Sequence, residues 1–134
     1  MARIHSLKAG MQLHEGVLAA AAGDGVSTAL VTGIGGVREV RLAYYDRAEK
    51  KYEEKAFQEQ LELTSLVGNV TVKDGTLFLH AHGTFARRDY TVIGGHVVSG
   101  VVSPLLEFVL TPTENTAVRE LDESLGLYTI RNPR

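Results

Sequence analysis

Residues 78–96, FLHAHGTFARRDYTVIGGH, hold three of the five histidines in the chain. In a strand, alternate side chains share a face, so His80 and His82 stand about 6.6 Å apart at the backbone on the same side, with Ala81 on the other. From that spacing two imidazoles can lean onto one metal ion, whose nitrogen distances are about 2.0–2.1 Å for zinc. His96 then has to come from a neighbouring segment, and the residues between have the length for a turn that returns beside the strand. Gly94 and Gly95 let that backbone approach closely or adopt positive φ. Three neutral imidazoles leave one position of a tetrahedral ion open, the pattern of a catalytic or ligand-binding site. The same residues also fit a plainer arrangement, with two polar side chains on a solvated face and a loop-capping His96. Spacing alone leaves both readings open.

Other side chains could serve such a centre. Asp89 and Glu107 are candidates for orienting a ligand or accepting a proton. Arg87 and Arg88, and more weakly Arg41, are candidates for holding an anionic substrate. Each of these also fits a solvated surface group. Ser99 and Ser103 lack the context of a nucleophile elbow. The glycine-rich GIGGV of residues 33–37 has neither the Lys-Ser/Thr of a phosphate-binding loop nor G-x-G-x-x-G spacing, so it is read as a strand connection and no nucleotide cofactor is expected. The absence of cysteine removes disulfides, thiolate ligands and cysteine nucleophiles together.

Composition sets the frame for these residues. A chain of 134 residues with 44% hydrophobic content suffices for one packed domain over residues 1–134. Fourteen lysines and arginines stand against 16 acidic residues, so the basic excess that makes a phosphate backbone an obvious partner is missing. The N-terminal MARIHSLKAGMQLHEG lacks the apolar core of a signal peptide, and no run approaches the ~18 apolar residues of a membrane span. A soluble, cytoplasmic protein without a membrane partner is the expectation.

Periodicity supplies the elements that must position the histidines. ARIHSL alternates as a short first strand, and the alanine-rich LHEGVLAAAAGDG predicts a helix over about residues 14–22 that closes on glycine. STALVTGIGG and VREVRLAYYD predict two strands joined by a turn at residues 33–36. The charge-dense segment from Tyr44 to Leu63 predicts a solvated turn and edge. LELTSLVGNVTVKDGTLFLHAHGTFA predicts a hairpin around Lys73-Asp74-Gly75. VVSGVVSPLLEFVLTPTE is a further strand, where Pro104 and Pro112 argue for edges or ends; it serves equally as a core strand or as a packing surface between subunits. The tail AVRELDESLGLYTI fits a short helix or a closing strand. Together these give an α+β class, a central, mostly antiparallel sheet covered by one or two helices.

Residues 61–114 resemble the plants-and-prokaryotes-conserved (PPC) domain, which accompanies AT-hook motifs in plant nuclear proteins and stands alone in prokaryotes. The resemblance is carried by Glu62, Gly68-Asn69, Asp74-Gly75, His80 and His82, Gly94-Gly95-His96 and Glu107. Upstream, ALVTGIGGVREVRLAYYD and KYEEKAF are also similar to the family pattern, so the likeness spans nearly the whole chain. It implies a homotrimer with a shared three-histidine metal-binding unit, zinc being the first candidate. The stand-alone members have no assigned activity. An AT-hook needs an Arg-Gly-Arg-Pro-like core for the minor groove, and this sequence has none, so DNA association would be weak or pass through partners. Two classes of function follow: a homotrimeric binding module with protein partners in transcription-related assemblies, or a metal-dependent enzyme or small-ligand binder using His80, His82 and His96.

Overall fold

The computed structural model describes residues 1–131. In chain order it contains β1 (Arg3–Lys8), α1 (Leu13–Gly23), β2 (Ala29–Asp46), β3 (Lys51–Phe57), β4 (Leu61–Lys73), β5 (Thr76–Ala86), β6 (Val92–Pro112), β7 (Val118–Asp122) and β8 (Leu127–Ile130). All eight strands join one sheet in the order β3-β2-β6-β5-β4-β7-β8, with β1 beside β6. Every pairing is antiparallel except β4 with β7. Because β2 pairs with β4 as well as β6, the pairings of β2, β6, β5 and β4 close into a ring. The architecture is α+β, with a single helix among the described residues.

Alternation decides which side chains the ring encloses. Val31, Val37, Leu63, Leu66, Phe85, Val102 and Phe108 point inward and are buried in one cluster with Leu13, Val17 and Ala21 of α1. Burial of each large side chain contributes roughly 1.5–3 kcal/mol. The helix matches the predicted span and extends it by one residue at each end. It stops where Gly25 takes φ +68°, with Gly25 N–H donating to the Ala22 carbonyl and Val26 N–H to that of Ala21. These two bonds are the pair that satisfies the last carbonyls of a helix ending on a left-handed glycine.

Several expectations hold in detail. Asp74 (φ 49°) and Gly75 (φ 75°) form the two-residue turn between β4 and β5, the left-handed pair a tight hairpin needs. The charged segment supplies β3, an edge strand paired only with β2. The tail closes as a β7–β8 hairpin. VVSGVVSPLLEFVL is largely a core strand, since Val97, Val102, Leu106, Phe108 and Leu110 are buried.

Two expectations are corrected. Residues 33–36 do not turn; β2 runs straight through them with a register shift between Gly33 and Gly35. The glycines are there for close approach. A Cβ on Gly35 would lie 2.6 Å from Leu106 Cα, and one on Gly33 3.0 Å from the Glu107 carbonyl. Pro104 lies inside the long β6, not at an edge or end, because β6 changes neighbours there: β1 covers Leu105–Leu110, β5 covers Val92–His96, and the pairing with β2 is irregular between. Pro112 does end the strand.

Gly68 faces Ala81 across the β4–β5 pair at close quarters. A Cβ there would stand 2.7 Å from Ala81 Cα and clash with the His80 carbonyl. Gly68→Ala is therefore expected to destabilise the protein by about 2–3 kcal/mol, since backbone on both sides must move. Urea denaturation checks this; a change under about 0.5 kcal/mol would contradict the packing described.

Candidate metal centre

On β5, Leu79, Ala81 and Phe85 point into the core, which places His80 and His82 on the outer face of the sheet. Asp89 and Tyr90 turn the chain back into β6, and His96 then lies directly across from His82, with Gly95 across from Gly83 and Gly94 across from Thr84. The close approach has a cause in the glycines: a Cβ on Gly94 would meet the Gly83 carbonyl at 2.8 Å, and one on Gly95 the Ala43 carbonyl at 3.0 Å. The three ring centroids are 5.1–5.6 Å apart. One ring nitrogen from each of His80, His82 and His96 lies within 4.8 Å of the other two.

These residues fit a metal ion. Nitrogens bound to one tetrahedral zinc at about 2.0–2.1 Å stand about 3.3 Å apart, so small side-chain rotations close the set onto an ion. The Nδ1 of His96 is buried without a hydrogen-bond partner, a costly state that a bond to a metal at that nitrogen would relieve. Burial, followed by the charges of Arg119, His96 and His82, brings His80 down to a pKa of about 4. Burial also lowers His96, with help from His82 and His14, against an opposing pull from Glu54. Both rings are therefore neutral at pH 7, the form that binds metal.

That shift has a consequence for the metal-free protein. A base whose folded pKa lies below its ordinary value takes up protons more readily when unfolded, so stability is retained above pH 6.5 and lost as the pH falls towards about 4. Discounted for a half-exposed ring, His80 should account for on the order of 1 kcal/mol, or a few degrees in Tm. Thermal melts between pH 7 and 4 should show a shallower acid loss in His80→Asn than in the wild type; parallel curves would contradict it.

A cavity of about 460 Å³ opens beside His80 and His96. Its walls come from distant parts of the chain. Tyr52 of β3 stacks on His96, with centroids 4.7 Å apart. Asn69, the cross-strand partner of His80, accepts a hydrogen bond from Arg119. The β8 residues Leu127–Ile130 form the far wall. The tip of the hairpin is pinned by Tyr45, whose hydroxyl donates to the Leu125 carbonyl. Arg119 of β7 lies on the histidines' side of the sheet, bonded to Thr71 and to Asn69, and it is only 7% exposed. No local sequence signal marks it, because its place beside the histidines depends on the pairing of β4 with β7.

The remaining candidates lie elsewhere. Asp89 is in the β5–β6 turn, bonded to Thr91. Glu107 is on the other half of β6, across from Ser6 and Ile34. Arg87 pairs with Glu59 at 2.6 Å and Arg41 with Glu54 at 3.5 Å. Arg88 adjoins Asp89 in the turn and is exposed. None of these five lines the cavity beside the histidines.

The model of the Plants and Prokaryotes Conserved (PCC) domain matches residues 3–114. The chain belongs to this family. Among solved structures, it is similar to the metal-containing protein AF0104 of Archaeoglobus fulgidus, with 32% identity, a TM-score of 0.91, and coverage of 98% of this chain and 94% of that one. A protein of Bacteroides thetaiotaomicron described as a candidate DNA-binding protein has 28% identity and a TM-score of 0.91, with 97% and 91% coverage. A plant- and prokaryote-conserved protein of Pyrococcus horikoshii has 27% identity and a TM-score of 0.91, with 100% and 93% coverage. Among curated proteins, none matches. Among the described residues, no helix of this PCC domain is long and apolar enough to cross a membrane.

Proposed function

We propose that this PCC domain holds a divalent metal, zinc foremost, on His80, His82 and His96, and that the centre takes a small ligand from the adjoining cavity. The observation that carries the reading is the convergence of three imidazoles from two strands, all within 4.8 Å, at the mouth of a cavity rather than in a closed core. The 32%-identical relative named as metal-containing supports it. A three-histidine metal supplies Lewis acidity, polarising a carbonyl or phosphoryl oxygen or lowering the pKa of bound water. The chain's own part is to hold the rings neutral, to present them on a rigid sheet, and to wall the approach with Tyr52 and the β7–β8 hairpin. Asp89 and Glu107 remain candidates for proton transfer only if ligand or partner brings them near.

The test is a zinc titration of untagged, chelator-stripped protein against a competing indicator. One zinc per chain at submicromolar affinity, lost in His80→Ala and His96→Ala, is expected. No binding of zinc, iron, manganese or nickel above micromolar affinity would defeat the reading.

A second feature favours self-association. Leu30, Ile34, Val67 and Leu105 are exposed on the outer face of β2, β4 and β6, and contiguous apolar surface of this kind marks an interface. A homotrimer that buries this face, acting as a module for protein partners, is the arrangement we favour. With a net charge of −2, contact with DNA would run through such partners. Light scattering at micromolar concentration should give three times the chain mass; a monomer mass would remove the trimer.

A further inference from the structure

Among the described residues, no carboxylate pairs with the charge of Arg119. Its Nε donates to Thr71 Oγ1 at 2.8 Å, Nη1 to the Tyr128 carbonyl at 3.2 Å and Nη2 to Asn69 Oδ1 at 2.9 Å. All three acceptors are uncharged. A guanidinium has five N–H groups, so two are left without an acceptor among the described residues. None of the ion pairs among those residues involves Arg119. Lys73 adds a second cation to the same cavity, its Nζ 4.1 Å from the Tyr128 ring centroid and 4.8 Å from that of Phe78. Among the described residues, no aspartate or glutamate lines this cavity.

Beyond these acceptors the guanidinium meets only the face of Phe78, 5.4 Å from its ring centroid, and a buried cation without a counter-charge is costly. Here the neutral acceptors fix the fork and leave donors over. We propose that the cavity binds a small organic carboxylate, with its charged head on Arg119 and Lys73 and its apolar body against Phe78, Leu127 and Tyr128. Guanidinium pairs with carboxylate and phosphate alike, but free phosphate would leave these apolar walls unused. About 460 Å³ suits a short-chain or single-ring acid, towards the lower end of ligand sites generally. The positive field of Arg119 is one of the causes that hold His80 neutral, so anion pocket and histidine cluster share one electrostatic environment. The proposal deepens the metal-centre reading by naming a ligand class, and it rests on that reading only for what the ligand's far end meets at His80 and His96.

The alternative is that Arg119 merely ties β7 to β4, which requires no anion. Titrating the metal-stripped chain with benzoate, its neutral counterpart benzamide and inorganic phosphate, followed by amide chemical shifts, separates the two. Benzoate should bind saturably and at least about tenfold more tightly than benzamide, the worth of one charge-assisted contact. Arg119→Gln should lose at least tenfold in benzoate affinity, and Arg119→Lys should retain part of it. Benzamide binding as tightly as benzoate, phosphate binding where benzoate does not, or an unaffected Arg119→Gln would each overturn the proposal. Should Arg119→Gln fail to fold, the wild-type comparison of benzoate with benzamide decides, joined by a weakened Lys73→Gln. Benzoate binding by a protein that takes up no zinc would leave this proposal standing and the metal reading fallen.

Discussion

His82→Ala is expected to weaken zinc binding by at least about 100-fold while leaving the fold intact. Loss of a partner that only orients a ligand already costs 10–100-fold, so loss of a ligand itself should reach the upper end or beyond. His82 is the most informative of the three for a physical reason. Its side chain is exposed on the outer face of β5, whereas His80 and His96 are partly buried and His96 stacks under Tyr52. Truncating an exposed side chain should change stability by no more than about 0.5 kcal/mol. Binding and folding are thereby separated, by zinc titration for one and urea denaturation for the other. Unchanged zinc affinity in His82→Ala would mean that any metal bound lies elsewhere.

Phe85→Ala should be the most damaging substitution beneath the site, costing about 3–5 kcal/mol. Phe85 is fully buried on β5, three residues beyond His82 and across from Ile93. A Cβ at Gly83 would meet its ring at 3.0 Å and Val97 Cγ2 at 3.2 Å, so the ring and Val97 together floor the pairing of His82 with His96. Removing the ring leaves a cavity under the two strands that bring the histidines together. Zinc in hundredfold excess over its Kd should restore about 2.7 kcal/mol by binding only the folded state. Melts with and without zinc would show this partial rescue in Phe85→Ala. A loss below about 1 kcal/mol would contradict the packing.

Local signals made part of this molecule legible in its sequence. The period of two fixed that His80 and His82 share a face, Asp74-Gly75 announced its own turn, and the alanine run with its trailing glycines bounded the helix. What failed were inferences from residues with two uses. Glycines serve tight turns and also close backbone approach, and in β2 they serve the second, which only the presence of β6 reveals. Pro104 argued for an end, yet it occupies the place where β6 exchanges one neighbour for another. The cavity was beyond reach for a different reason. Arg119 meets Thr71 across 48 residues of chain and Asn69 across 50, and Tyr52 meets His96 through the pairing of β3, β2 and β6. Such encounters depend on sheet order, which periodicity does not encode. The histidine ligands could be proposed from spacing, while the residues that give their surroundings a charge and a shape could not.

The central claim is that His80, His82 and His96 bind one metal ion together, and X-ray absorption at the zinc edge tests it most directly. With one equivalent of zinc per chain, the spectrum should fit three imidazole nitrogens at about 2.0–2.1 Å with one oxygen ligand in the open position, and His82→Ala should lose one of the three. An all-oxygen shell, or a spectrum that His82→Ala leaves unchanged, would contradict it.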